Sequence, residues 1–223
     1  MKKIIGIVGW NTGDNSFGVT KPYIDWLSNF GIVRILSPQN GIDDSIDLLV
    51  LPGGLDITPQ SMNQVPGFFT SNTDVMKQYF YDVNLKQYID NNTPIFGICL
   101  GFQQLCVYYG GQLNQNYPFN YSNKHRTEKV DELILNQDLN EFINVKELSN
   151  KKIKYEVNSL HHQGYFNIPN DNIKVLAYEK DFHNVEIAQF KDNIYGVQYH
   201  PEEIHDYISN EIILKLLNLS NNG

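Results

Sequence analysis

Three apolar runs in the first half of the chain constrain its fold more than any other feature. They read IIGIV from Ile4, DLLVL from Asp47 and PIFGI from Pro94, and none alternates with polar residues. A strand buried on both faces has this pattern, whereas a strand with one wet face alternates. Helix-length segments separate the runs, which predicts parallel strands with helices packed on both faces of one sheet.

The second half of the chain contains strand-like segments with few helical segments between them, which predicts hairpins and returning strands. We therefore predict a single domain over residues 1–223 with an α/β fold: a doubly wound, mostly parallel sheet and an added antiparallel region in the C-terminal half. The predicted strands are Lys3–Gly9, Ile32–Leu36, Asp47–Leu51, Thr93–Ile98, Val130–Leu135, Lys152–Val157, Ile173–Tyr178, Val185–Phe190 and Ile194–Tyr199. The predicted helices are Val19–Phe30, Asp74–Asp90, Leu100–Tyr109 and Ile204–Leu219.

The net charge limits which partners the protein could bind, and the spacing of the cysteines bears on its cellular compartment. With 25 acidic and 17 basic side chains the net charge is −8, which argues against nucleic acid and anionic membranes because both reward clustered Lys and Arg. No segment approaches the about 20 apolar residues of a membrane span, and the N-terminal residues lack the pattern of a secretion signal. Cys99 and Cys106 are too far apart along one predicted helix for a disulfide. We expect a cytoplasmic protein.

The stretch Gly97-Ile98-Cys99-Leu100-Gly101 joins the third apolar run to a predicted helix and has the form G-x-C-x-G. This is the thiol version of a nucleophile elbow, in which a sharp turn exposes the nucleophile and small neighbours let chain and substrate approach. The helix N-terminus favours the reactive thiolate. The alternative is a buried structural cysteine between incidental glycines. Cys106, inside LCVYY, is predicted to lie in the core.

A nucleophilic thiol needs a base, and the base needs an orienting group. His200 ends a predicted strand and is followed by Pro201 and Glu202, so a carboxylate lies two residues away and can accept the imidazole N–H. Glu203 comes next, and the spacing alone leaves the orienting carboxylate open between Glu202 and Glu203.

The stretch GICLGFQ, followed about 100 residues later by GVQYHPE, resembles the class I glutamine amidotransferases. LPGGLDITP and VNSLHHQ narrow the resemblance to the γ-glutamyl hydrolase branch, peptidase C26, which includes the γ-glutamyl-γ-aminobutyrate hydrolases. The similarity extends from Lys3 to Glu202 and implies the flavodoxin-like sheet of that family. It also implies Cys99 as nucleophile, His200 as base and Glu202 as orienting group.

The resemblance further implies a substrate site without metal or cofactor. Its oxyanion hole uses the backbone N–H of Leu100 and one N–H from the turn at Gly53 or Gly54. Two such preorganised donors stabilise a tetrahedral oxyanion, and loss of one typically costs about 10²–10³ in rate. The substrate-binding residues implied by the matching motifs are Gln103, Ser159, Leu160, His161 and Asp56.

The chain departs from the γ-glutamyl-γ-aminobutyrate hydrolases at two places. Those enzymes usually carry Arg after the nucleophile, where this chain has Leu100. They also carry an Arg-Asp pair before the preceding helix, whereas the segment Gly67–Asp74 of this chain lacks that arginine. The departures leave the γ-glutamyl half of the site intact and the leaving-group half open. Candidate leaving groups are γ-aminobutyrate, other amines or amino acids, and phosphoramidate nucleotides.

Three functions fit these observations. The first is a stand-alone hydrolase of a small-molecule γ-glutamyl amide, which could be a homodimer. The second is a glutaminase subunit that supplies ammonia to a separate synthase chain. The third is an inactive binding or regulatory module on the same fold, against which the intact Cys99, His200 and Glu202 argue.

Overall fold

The computed structural model describes residues 2–13, 15–67, 70, 73–115, 129–142, 155–165, 170–181 and 184–219. Its strands are β1 (Ile4–Val8), β2 (Trp10–Gly13), β3 (Ser16–Gly18), β4 (Ile32–Leu36), β5 (Leu48–Leu51), β6 (Ile95–Ile98), β7 (Lys129–Leu135), β8 (Tyr155–Ser159), β9 (Lys174–Glu179), β10 (Val185–Lys191) and β11 (Ile194–Val197). Its helices are α1 (Lys21–Leu27), α2 (Val75–Tyr79), α3 (Leu85–Asp90), α4 (Leu100–Tyr108), α5 (Gln137–Phe142), α6 (Pro201–Ile204) and α7 (Tyr207–Leu216). Short 3₁₀ turns at Pro38–Asn40 and Pro59–Met62 and a π-helical segment at Phe80–Asn84 complete these elements.

One sheet of nine strands organises the molecule, in the order β4-β1-β5-β6-β11-β10-β9-β7-β8. The strands from β4 to β11 pair in parallel. From β11 to β8 every pairing is antiparallel. The prediction of a doubly wound parallel sheet with an antiparallel extension in the C-terminal half is therefore confirmed.

The apolar runs are buried on both faces of the sheet, as their lack of alternation predicted. In β5, Leu48 and Val50 belong to one core cluster and Leu49 and Leu51 to the other. The first cluster includes residues of α1 and α7, and the second includes residues of α3 and α4. No helix among the described residues is long and apolar enough to cross a bilayer.

Glycines allow α4 to pack closely on the sheet. A Cβ on Gly101 would lie 2.3 Å from the carbonyl oxygen of Leu51, and one on Gly97 would lie 2.8 Å from the backbone of Gly101. Neither position has room for a side chain because the opposing atoms are backbone. The two glycines of the G-x-C-x-G stretch are thus explained by the contact between α4, β5 and β6.

Near the two ends of the chain the structure differs from the predicted elements. The last helix was expected over Ile204–Leu219, but α6 ends at Ile204, His205 is left-handed with φ +52°, and α7 starts at Tyr207. Asp206 caps α7, so a new helix begins there instead of one continuing. The hairpin of β2 and β3 was not predicted, because its residues are mostly exposed and polar.

The hydrogen bonds of Asp206 predict that its replacement destabilises the protein. One carboxylate oxygen, Oδ1, accepts from the N–H of Ser209 at 3.0 Å, from the Tyr155 hydroxyl at 2.6 Å and from the Tyr199 hydroxyl at 3.1 Å. Asp206→Ala should lower the free energy of unfolding by about 2–4 kcal/mol, since it removes a cap and two hydroxyl partners. Urea unfolding measures this.

Asp90→Ala is the control, because Asp90 is exposed and pairs only with exposed Lys86. It should change the free energy of unfolding by less than about 0.5 kcal/mol. Equal effects of the two substitutions would mean that the Asp206 contacts contribute no stability.

Three neighbouring parallel strands, β5, β6 and β11, end at the same edge of the sheet. Their carboxyl ends lead into Gly53-Gly54, Cys99 and His200, respectively. Ligands of open α/β sheets bind at this edge. The topology therefore brings together three segments that the sequence analysis selected separately.

Candidate active site

Cys99 occupies a strained turn between β6 and α4. Its backbone has φ +48° and ψ −102°, outside the usual regions for a residue with a side chain. Hydrogen bonds hold this conformation, from Cys99 N to the Val197 carbonyl and from Gln103 N to the Cys99 carbonyl, both 2.9 Å. Strain maintained in this way is typical of functional sites. The geometry matches the predicted nucleophile elbow, and the positive end of α4 faces the thiol.

Cys106 has the opposite environment. It is fully buried in α4 among apolar side chains. Burial raises the pKa of its thiol well above the ordinary value, so it stays protonated and unreactive. The prediction that Cys106 belongs to the core is confirmed.

His200 follows β11 and contacts Glu202. The imidazole Nδ1 lies 2.7 Å from Glu202 Oε1, and Glu202 is buried whereas Glu203 is exposed. Because a carboxylate only accepts, Nδ1 carries the proton and Nε2 is left for the thiol. Of the two carboxylates that the spacing left open, the structure puts Glu202 against the base.

The ionisation of His200 is coupled to both of its neighbours. Burial lowers the pKa of His200, but the charge and hydrogen bond of Cys99, together with those of Glu202, raise it by more. The pKa of His200 therefore lies well above the ordinary value for histidine. The imidazolium form of His200 is stabilised by its contacts with Cys99 and Glu202.

Asn158 fixes the backbone of His200. Its side-chain Oδ1 accepts from the His200 N–H at 2.9 Å, and its Nδ2 donates to the His200 carbonyl at 3.1 Å. Asn158 lies on β8, an edge strand of the sheet, whereas His200 follows β11 at the centre of the sheet. The VNSLHHQ motif thus positions the base as well as contributing to the substrate cavity.

The turn after β5 carries the candidate oxyanion donors. Gly53 was predicted as one alternative donor, but its N–H already donates to the Tyr23 hydroxyl at 2.9 Å. Gly54 and Leu100 remain as the candidate donors. Leu100 is the first residue of α4, so its N–H has no partner within the helix. A Cβ on Gly53 would lie 2.6 Å from His200 Cε1 and 3.4 Å from Cys99 Cβ. Gly53 is therefore needed for space, not as a donor.

Lys77, on α2, is a buried cation beside this turn that the sequence analysis missed. Its Nζ donates to the Gly53 carbonyl at 2.5 Å, lies 3.7 Å from Asp74 Oδ2 and is 3.8 Å from the centre of the Trp10 ring. Burial lowers the pKa of Lys77 to about 8, while Asp74 and Cys99 oppose that shift. Nothing in the local sequence distinguishes this lysine from a surface lysine.

A cavity of about 380 Å³ adjoins the thiol. Of the predicted substrate-binding residues, Gln103, Leu160, His161 and Asp56 line it. The Gln103 amide nitrogen donates to the Gln163 carbonyl at 3.0 Å and to Gln198 Oε1 at 3.2 Å, which holds this side chain in one orientation.

Ser159 was also predicted to bind substrate, but it lies behind the cavity wall. It is fully buried, and its hydroxyl is 3.3 Å from His161 Nε2. Strand β8 points Ser159 into the protein because alternate residues of a strand face opposite sides. Ser159 therefore supports His161 and does not line the cavity.

His162 is a cavity residue that the sequence analysis did not select. Its Nε2 lies 2.8 Å from Asp56 Oδ1, which joins the segment after β5 to the segment after β8. The doubled histidine in VNSLHHQ was the available signal. The two residues are 106 positions apart, so only the fold reveals the pair.

A buried acidic group lies next to His161. One ligand atom each from Asp131, His161 and Glu186 lies within 4.8 Å of the others, and the three could together hold a cation. Burial and then the charge of Asp131 raise the pKa of Glu186 well above its ordinary value. His161 Nδ1 is 2.9 Å from the Gln163 carbonyl, which leaves Nε2 facing this group.

A second cavity, of about 500 Å³, lies on the other side of the glycine turn. His200 lines it, together with Trp10, Asp74 and Lys77. Both cavities share Gly54, Leu55 and Leu160. Cys99 therefore borders one cavity, and His200 borders the other.

Comparison with known proteins gives a consistent result. Residues 18–202 match the family model of peptidase C26. The chain is 30% identical over 181 residues to protein NtpR of Enterococcus hirae, spanning 78% of this chain and 75% of NtpR. It is 28% identical over 218 residues to the glutamine amidotransferase-like protein YvdE of Lactococcus lactis subsp. lactis, spanning 89% of this chain and 90% of YvdE.

A solved structure supports the fold assignment. A glutamine amidotransferase from Thermotoga maritima superposes with a TM-score of 0.61 at 12% identity, covering 98% of this chain and 97% of that one. At this level of identity the likeness concerns the fold alone. The predicted glutamine amidotransferase type of sheet is confirmed.

Proposed function

Because the chain belongs to the peptidase C26 family of glutamine amidotransferase-like hydrolases, we propose that it cleaves a γ-glutamyl amide bond through a γ-glutamyl thioester on Cys99. The products are glutamate and an amine, an amino acid or a phosphoramidate-type leaving group. The observation that carries the proposal is the arrangement of the strained Cys99, the base His200 and the buried Glu202 at 2.7 Å from it.

The first half of the reaction forms the thioester. The Cys99 thiolate attacks the γ-carbonyl carbon, and the N–H groups of Gly54 and Leu100 receive the oxyanion. The intermediate collapses when the C–N bond breaks and the His200 imidazolium donates its proton to the leaving nitrogen. The raised pKa of His200 supports this step because the proton is present when the amine departs.

The second half releases glutamate. Neutral His200 takes a proton from a water molecule, and the resulting hydroxide attacks the thioester carbonyl in the same oxyanion hole. The C–S bond then breaks, which restores the thiolate beside an imidazolium. Glu202 keeps Nδ1 protonated throughout and stabilises the imidazolium.

The two cavities suggest where each half of the substrate binds. The cavity bordered by Cys99 and Gln103 has the Gln103 amide and the Asp56–His162 pair in its wall, which suits the charged γ-glutamyl group. The cavity bordered by His200 suits the leaving group, since the imidazole must reach the leaving nitrogen. Leu100 and Lys77, not arginines, lie near the turn that separates the two cavities. This difference is why γ-aminobutyrate is only one of the candidate leaving groups.

The test is glutamate release by the purified protein from glutamine and from a panel of γ-glutamyl amides that differ only in the amine. We expect one γ-glutamyl amide to be cleaved with kcat/KM at least about 100-fold above that of glutamine, because discriminating contacts in a leaving-group cavity are worth a few kcal/mol. The proposal would be contradicted if neither glutamine nor any γ-glutamyl amide of the panel released glutamate.

A glutaminase subunit that feeds a separate synthase chain is the second candidate. One observation favours it: Leu55 and Leu160, both about half exposed, stand at the rim shared by the two cavities, where a partner could cover them. Release of ammonia from glutamine alone, or activity only after a synthase chain is added, would identify this function. Preference for a larger γ-glutamyl amide without any partner would exclude it.

A further inference from the structure

Gly53 is held by two side chains of distant elements, one on each of the two peptide units that meet at this residue. Tyr23, on α1, accepts the N–H of Gly53 at 2.9 Å. Lys77, on α2, donates to the carbonyl of Gly53 at 2.5 Å. Glycine pairs adopt many backbone conformations when nothing holds them. Both polar groups of Gly53 are therefore occupied, and the Gly54 N–H is the next donor along the turn.

The Gly53 carbonyl and the Gly54 N–H belong to the same peptide plane and point in opposite directions. Any contact that fixes the carbonyl consequently fixes the N–H. A charged donor on the carbonyl also polarises the peptide, which strengthens its N–H as a hydrogen-bond donor. The Lys77 ammonium can thus control the oxyanion donor without touching the substrate.

The surroundings of Lys77 hold its ammonium against this carbonyl. Asp74 caps α2, accepting from the N–H groups of Met76 and Lys77 at 3.1 Å, and its other oxygen lies 3.7 Å from Lys77 Nζ. The Trp10 ring covers the ammonium at 3.8 Å. Only 4% of Lys77 is exposed, although the side chain borders the second cavity. Burying a cation costs free energy unless it is paired and hydrogen-bonded. The Gly53 carbonyl and Asp74 are the partners of the Lys77 ammonium.

We propose that Lys77 is a positioning residue for the oxyanion hole: its ammonium, bonded to the Gly53 carbonyl, orients and polarises the peptide that presents the Gly54 N–H to the developing oxyanion. The inference rests on acyl transfer at Cys99, the core of the proposed function. It does not depend on the identity of the acyl or leaving group.

The test compares two reactions of Cys99 in the same protein. Acylation by p-nitrophenyl acetate passes through a tetrahedral oxyanion, whereas alkylation by iodoacetamide displaces iodide directly and forms no oxyanion. Both rates are measured at pH 7, below the Lys77 pKa of about 8, so that the ammonium is present. Both reactions use the thiolate, so an effect of Lys77 on the thiolate fraction changes the two rates equally and cancels in their ratio. Cys99→Ala supplies the background of each reaction.

Lys77→Met keeps the length of the side chain and removes the charge and the donor. We expect its acylation rate to fall about 10- to 100-fold, which does not exceed the fall in rate caused by removing a whole oxyanion donor. The alkylation rate should change by less than about threefold. Lys77→Gln retains a neutral donor and should recover part of the acylation rate. Lys86→Met, an exposed lysine on α3, should leave both rates unchanged.

Lys77→Gln also serves as the test where Lys77→Met fails to fold, and it should lower acylation more than alkylation. The inference is overturned if Lys77→Met, or Lys77→Gln in its place, lowers both rates equally or lowers neither. Wild-type protein that reacts with the ester but releases no glutamate from the γ-glutamyl panel would contradict the proposed function alone.

Discussion

Replacement of Cys99 by alanine should lower glutamate release by about 10⁴- to 10⁶-fold, since removal of a nucleophile abolishes the covalent route and leaves only binding and the oxyanion hole. Of the two cysteines, only Cys99 lies at the carboxyl end of a strand, beside His200 and next to a cavity. Glutamate measured over hours of incubation with concentrated protein gives the sensitivity required. Retention of more than a few per cent of the activity would contradict the thioester mechanism, whereas no glutamate release by either wild type or Cys99→Ala would favour the binding or regulatory module.

Cys106→Ala is the matched control, because it removes the other cysteine sulfur, from α4, seven residues after Cys99. Cys106 is fully buried among apolar side chains, so the substitution should lower the free energy of unfolding by about 1–2 kcal/mol through the cavity it leaves. Its kcat should stay within about twofold of wild type. The pair of variants therefore separates chemistry from packing in one helix.

Glu202→Gln should have the second largest effect, lowering kcat by about 10²- to 10⁴-fold, as for orienting carboxylates of other triads. The amide oxygen can still accept from Nδ1 at the position that is now 2.7 Å from the imidazole. The negative charge that stabilises the imidazolium is lost. Initial rates of glutamate release with the best γ-glutamyl amide measure the change.

The same variant predicts a change in the pH profile. Burial lowers the pKa of His200 but Cys99 and Glu202 raise it by more, so in wild type the alkaline limb of kcat/KM should lie well above the ordinary histidine pKa of 6.5. Since Glu202 favours the charged form, Glu202→Gln should lower that pKa and move the alkaline limb to lower pH. In wild type, the stability gained from this imidazolium is complete below the unfolded pKa and is lost as pH rises through the folded pKa.

Glu203→Gln makes the same charge change one residue further along, at an exposed side chain. It should leave both kcat and the alkaline limb close to wild type, because exposed charges are screened by solvent. If Glu203→Gln instead reproduces the effects of Glu202→Gln, net charge and not the contact with His200 controls the pH profile.

Much of the fold and part of the site followed from local patterns. Non-alternating apolar runs indicated strands buried on both faces, because burial determines which residues a strand tolerates. The glycines around Cys99 indicated the elbow, because only glycine fits where Gly101 meets the backbone of Leu51. The motifs around Cys99 and His200 were therefore sufficient to predict Cys99 as the nucleophile and His200 as its base.

Other parts of the site depend on contacts between distant segments. Lys77 is 24 residues from the Gly53 carbonyl that it binds, and His162 is 106 residues from Asp56. No periodicity encodes such a pair, since it depends on the sheet order and on the path of each loop. The position of Ser159 behind His161 has the same origin, because the direction of a strand residue is set by register against its neighbours.

The sequence by itself determined which residues can do chemistry and which segments are buried, because both are written in residue type and local spacing. Only the tertiary structure decided how these residues act together. The parallel order of β5, β6 and β11 brings the glycine turn, Cys99 and His200 to one edge. Side chains from α1 and α2 then occupy both polar groups of Gly53 and leave Gly54 as the donor. The physical reason is that a hydrogen-bonded peptide is oriented by its partners in space, wherever they lie in the chain.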